Sequence, residues 1–126
     1  MNELKKEGRE QNHIDQEFLS SLRILKRSLE NDSSLSSHVI RHATKAESLS
    51  KFTSYYDETY VVQVYSIVLL DYLLQMTYLN KDIDDISKKQ ELIQVLDELS
   101  KDPLDEQMMS ELQYLLIELK KDYDFN

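Results

Sequence analysis

Residues 61–79 read VVQVYSIVLLDYLLQMTYL, and what this stretch becomes decides the fold. Three readings compete: a membrane span, a β-strand and a helix of a soluble core. A span needs about 20 largely apolar residues. Gln63, Asp71 and Gln75 interrupt this one, with Asp71 near its centre. A central Asp costs about 2.5–3.5 kcal/mol on insertion scales, so no membrane association is expected. The β-branched and aromatic residues from Thr59 to Val68 suit a strand. Yet no second segment offers a partner, and a lone strand leaves its backbone unsatisfied. As a helix, the stretch carries Val61, Tyr65, Val68, Tyr72, Met76 and Leu79 on one stripe, which Leu69 and Leu73 widen. Ile67, Leu70 and Leu74 spread apolar groups onto the other side, and a helix apolar nearly all round is expected at the centre of a bundle.

Composition supports helix throughout. The 126 residues include one glycine (Gly8), one proline (Pro103) and no cysteine. A typical chain of this length holds roughly 9 Gly and 6 Pro. Sandwiches, barrels and folds with phosphate-binding loops need glycine where φ is positive or where backbone approaches a ligand, so the deficit argues against all three. The missing cysteines remove disulfides, thiolate nucleophiles and Cys-ligated zinc and suit a reducing compartment. Residues 1–13 are polar with no apolar core of a signal peptide, so a cytoplasmic protein is expected.

Working outward, Ile14, Phe18, Leu22, Leu25 and Leu29 recur at spacings of four and three and predict a first helix, which the run Asn31, Asp32, Ser33, Ser34 ends. A weaker second helix turns Leu35, Val39, Ala43 and Ala46 inward and fades over residues 50–54. Ser54 and Asp57 have the spacing of a capping box for the third helix, with Glu58 in its first turn. No Pro or Gly punctuates residues 31–80, so the second and third helices read equally as separate or as one bent rod. Residues 80–85 form an acidic connection into a fourth helix with Leu92, Val95, Leu96 and Leu99 inward. Asp102 as cap and Pro103 at the first helical position predict the start of a fifth, carrying Met108, Leu112, Leu115 and Leu119 inward. The expected fold is a single all-α domain, an antiparallel bundle of four to five helices over residues 14–121 with a C-terminal helical hairpin. Residues 1–13 are expected to fray, and residues 122–126 form a tail on which Tyr123 or Phe125 docks at most.

No constellation points to catalysis. His38 and His42 share a helical face but lack a third ligand, and Arg41 beside them repels a cation. Asn80, Asp82, Asp84 and Glu91 match places one, three, five and twelve of a calcium loop, yet Asp85 stands where such a loop needs glycine. Glu10 and His13 make one Glu-x-x-His pair where a di-metal bundle needs two. Asp71 reads as part of a polar arc with Gln63 and Gln75 or as the partner of an Arg. The chain is therefore expected not to be an enzyme, with no metal and no cofactor.

Charge is the more telling feature. The formal net charge is -9, yet residues 1–51 hold 9 basic and 8 acidic side chains while residues 52–126 hold 6 and 16. Direct nucleic-acid binding is not expected of so acidic a chain. Exposed ion pairs contribute about 0–1 kcal/mol each, so stability alone is a weak reason for this segregation, whereas complementary potential selects partners. The expected function is a non-enzymatic protein-binding module whose acidic half occupies a basic surface of another protein, as an inhibitor, an immunity or antitoxin-like factor or an adaptor. Its expected contact residues are Tyr55, Tyr56, Asp57 and Glu58, then Asp82, Asp84, Asp85, Asp97, Glu98, Asp105 and Glu106. The alternative is a homodimeric assembly component that pairs through the apolar excess of the third helix, at Ile67, Leu70 and Leu74.

Overall fold

The computed structural model describes residues 2–56 and 60–122. Among them are five α-helices: α1 (Asn2–Asn31), α2 (Ser37–Ser50), α3 (Val61–Tyr78), α4 (Lys89–Lys101) and α5 (Glu106–Lys121). A short 3-10 turn at Ile83–Asp85 precedes α4. The all-α class predicted from glycine scarcity and periodicity is the class the chain adopts.

Each helix finds two principal neighbours. α1 packs on α2 and α4, α3 on α2 and α5, and α4 on α5, which closes a ring in the order α1, α2, α3, α5, α4. One apolar cluster fills it: Phe18, Leu22 and Leu29 from α1, Val39, Ala43 and Ala46 from α2, Tyr65, Leu69 and Met76 from α3, Leu92, Leu96 and Leu99 from α4, and Leu112, Leu116 and Leu119 from α5. Full burial of a Leu or Phe side chain stabilises by about 1.5–3 kcal/mol, so these stripes hold the helices together. Polar contacts fix direction. Lys88, just ahead of α4, pairs with Glu118 near the end of α5, so these two helices form an antiparallel hairpin. Gln11 of α1 donates to the carbonyl of Phe52 just past α2 at 3.0 Å, and the start of α2 shares a groove with the end of α3.

Four features differ from the sequence expectation. α3 is not central: Val64, Ile67, Leu74 and Tyr78 on its outer side are exposed. A ring of five helices has no axial position, so only the inner arc that the spacing predicts, with Tyr65, Leu69, Tyr72, Leu73 and Met76, is buried. α1 begins at Asn2, so the helical backbone covers residues 2–13 as well. Glu, Lys, Arg and Gln are good helix formers, and the about 1 kcal/mol lost at Gly8 is offset by continuity with a long packed helix.

The third difference lies between α2 and α3. These are separate helices, and Ser54 does not cap α3; its backbone N–H and hydroxyl both donate to the Asp15 carboxylate, at 2.8 and 2.5 Å. Asp57, the other half of the expected box, lies outside the described residues. Tyr60, with φ 56°, turns the chain into α3. The fourth is at Pro103, which is buried in the turn between α4 and α5 instead of opening α5. Asp102 ends α4, and Asp105 is the N-cap of α5, its carboxylate accepting from Met108 N–H at 3.1 Å. The acidic connection likewise turns once in 3-10 form before α4 begins at Lys89.

The end of α3 shows how a chain this poor in glycine stops a helix. Asn80 takes the left-handed conformation at φ 56°, its N–H donates to Thr77 O and Lys81 N–H donates to Met76 O. These two bonds satisfy the last carbonyls as a Schellman motif does, with Asn in the place usually held by Gly.

Candidate functional site

The residues expected at a partner surface do not gather into one. Tyr55 is half-buried with its ring 6.4 Å from that of Phe18, and burial, then the Asp15 and Asp102 charges, push its phenol pKa up. It belongs to the core, because the α2–α3 connection folds back on α1. Tyr56 is half-buried and tilts against the exposed Tyr60, with centroids 5.3 Å apart. Asp57 and Glu58 lie outside the described residues.

The acidic residues occupy two ends of the hairpin. Asp82, Asp84 and Asp85 are exposed ahead of α4; Asp84 pairs with Lys89 at 3.3 Å, and Asp85 accepts from the N–H of Asp82 at 2.7 Å. Glu106 is exposed in the first turn of α5, next to the capping Asp105. Between the two groups runs α4, about 20 Å long at 1.5 Å per residue. Asp97 faces α1, 3.7 Å from Lys26 and 3.0 Å from Lys101. Hydrogen bonding from Lys101, with the Lys101 and Lys26 charges, holds its carboxyl below the usual Asp range. Asp97 is thus an internal clasp between the neutral and acidic halves, and Glu98 beside it is half-buried.

A different set converges. A groove of about 250 Å³ runs between α4 and α5, lined by Lys88, Glu91, Val95, Glu111, Tyr114, Leu115 and Glu118. The hydrogen bond between Lys88 and Glu118 lowers the pKa of the carboxyl and raises that of the amine, so both stay charged and neutralise each other. Glu91 and Glu111 remain as exposed acids at the groove. Over it stands Tyr114, 71 % exposed, with Ile117 one turn further on and 55 % exposed. These residues escaped the sequence reading. Their signal was available: Tyr114 and Ile117 lie three apart and off the buried 112, 115, 116, 119 stripe, which places an apolar pair on the polar arc of α5.

The remaining candidates are dispersed. His38 and His42 meet edge to face at 4.6 Å, and the buried Nδ1 of His42 has no hydrogen-bond partner. Desolvation, then the charges of His38, Lys45 and Arg41, lower the His42 pKa. Asp71 is exposed on α3, and Asn80 closes that helix while Glu91 sits in the first turn of α4. Among the described residues no three His, Cys, Asp or Glu side chains are grouped to hold a metal ion. No protein-family model, curated protein or solved structure matches the chain.

Proposed function

We propose that the chain is a non-enzymatic helical module that binds a basic surface of another cytoplasmic protein through the outer face of the α4–α5 hairpin. The observation that carries this reading is the groove in which Glu91 and Glu111 flank the exposed Tyr114. Tyrosine is enriched at binding hot spots because it offers a large rigid area at little entropic cost, and acids around it supply orientation and on-rate toward a cationic partner. Asp82, Asp84 and Glu106 extend the negative potential past both ends of the groove. Asp97 and Tyr55 take no part, since one is paired with lysines and the other packs on the core. Masking a basic surface in this way is the action of an inhibitor, an immunity or antitoxin-like factor or an adaptor.

The test is the salt dependence of the complex. Calorimetric titration with the partner captured from the host should show affinity falling as salt rises from about 50 to 200 mM, since screening within about 10 Å weakens exposed charge pairs. The double substitution Glu91→Gln and Glu111→Gln should lower affinity at low salt and flatten that dependence. Affinity indifferent to salt in the unsubstituted protein would contradict the proposal.

A further inference from the structure

The outer side of α3 carries a second surface. Tyr60, Val64, Ile67, Asp71, Leu74 and Tyr78 follow one another at spacings of four and three, so they form a straight stripe opposite the buried arc of Tyr65, Leu69 and Met76. Tyr78 is 86 % and Tyr60 51 % exposed; Val64, Ile67 and Leu74 are exposed as well. The stripe has an internal symmetry about Leu69. Tyr60 and Tyr78 lie nine residues to either side of it, Val64 and Leu74 five, and Ile67 and Asp71 two, with Gln63 and Gln75 six residues out along the flanks.

We propose that this stripe takes a second copy of the chain, the two α3 helices pairing antiparallel about a two-fold axis at the level of Leu69. A two-fold interface must be self-complementary, each patch meeting its own image. Run antiparallel, the stripe meets that condition at two levels, where Tyr60 faces the partner's Tyr78 and Val64 faces the partner's Leu74, while at the third Ile67 faces the partner's Asp71, an apolar group against a carboxylate. The five side chains expose about 500 Å² per copy, so complete burial of both stripes removes about 1,000 Å² from water, the size of a weak, reversible dimer. A groove of about 440 Å³ adjoins the stripe, its apolar side formed by Leu35, Ile40 and Leu74 and its polar side by Ser36, Ser37, Thr77 and the exposed Arg41. By length and composition α3 could instead cross a membrane. Insertion would carry Asp71 into hydrocarbon and strip α3 from the core that buries its other face, so lipid is the poorer occupant.

The pairing does not depend on the α4–α5 face. Salt separates the two: screening the -9 charge of each copy strengthens self-association, whereas it weakens attraction to a basic surface. Sedimentation equilibrium of the full chain should show a monomer–dimer equilibrium that tightens from about 50 to 500 mM salt. Val64→Lys sets a cation against the partner's Leu74 and should weaken the dimer about tenfold or more, while Ile67→Lys sets one against the partner's Asp71 and should leave it within about threefold. Both positions are exposed, and unchanged helical circular dichroism checks the fold. A monomer at every concentration and salt would overturn the proposal. So would equal weakening by the two substitutions, or a monomer that sediments with zwitterionic phosphatidylcholine vesicles.

Discussion

The hydroxyl of Tyr65, near the start of α3, donates to the carbonyl of Pro103 in the α4–α5 turn at 3.1 Å, inside the protein. This bond ties the only proline in the chain to a tyrosine 38 residues away and joins α3 to the hairpin where, among the described residues, no side-chain ion pair does so. Burial, with the Tyr55 phenol and the Asp102 charge, holds the Tyr65 phenol far above its ordinary pKa, so it stays a donor at all physiological pH. Tyr65→Phe keeps the ring and removes the bond. It should lower unfolding free energy by about 1–2 kcal/mol in urea titrations, with the slope unchanged.

Asp15 plays the matching role for the α2–α3 connection, accepting from Gln11 Nε2 and from the N–H and hydroxyl of Ser54. Asp15→Ala leaves a half-exposed turn without its anchor. We expect a loss of about 1–3 kcal/mol and faster hydrogen exchange at the Ser54 amide.

Asn80 is left-handed at the end of α3. Asn80→Gly should leave stability unchanged or raise it slightly, whereas Asn80→Val should cost about 1–2 kcal/mol because a β-branched side chain clashes in that conformation. Thermal melts of the two variants give the comparison.

His42 supplies a pH dependence whose sign follows from its environment. Its pKa is lowered from 6.5 by desolvation, then by electrostatic interaction with His38, Lys45 and Arg41, so the unfolded chain binds a proton there more readily than the folded one. Stability from this group is complete above the unfolded value near 6.5 and falls as pH drops from there to the depressed folded value, below which it stays level. Replacing His42 by Asn should flatten the fall in stability that the parent protein shows as pH drops below about 6.5.

Much of this fold was legible because its helices are one-sided. The inward stripes of α1, α4 and α5 bury as the spacing of Leu22, Leu96 and Leu112 requires, except that Ile14 and Met108 at their beginnings are half-buried. For α3 the spacing placed Leu69 on the inward stripe and Leu74 on the other side, as found; what it did not show is that the outer apolar residues stay exposed, because tertiary packing leaves that side uncovered. Pro103 misled for a related reason: the proline preference for a first helical turn is local, while the Tyr65 bond that holds this turn is 38 residues distant in sequence. The partner surface was read from charge and from the tyrosines Tyr55 and Tyr56. Charge counts do not show that Asp97 faces Lys26, nor that Glu91 of α4 and Glu111 of α5 line one groove.

The central claim is that the groove around Tyr114 is where a basic partner binds. Affinity capture from the native host at low salt, comparing the parent protein with the triple substitution Glu91→Lys, Glu111→Lys and Tyr114→Ala, tests it most directly. A basic protein should be retained by the parent, released by elevated salt and not held by the triple variant, folded by circular dichroism. Retention of the same protein by both chains would contradict it, as would a parent that holds none.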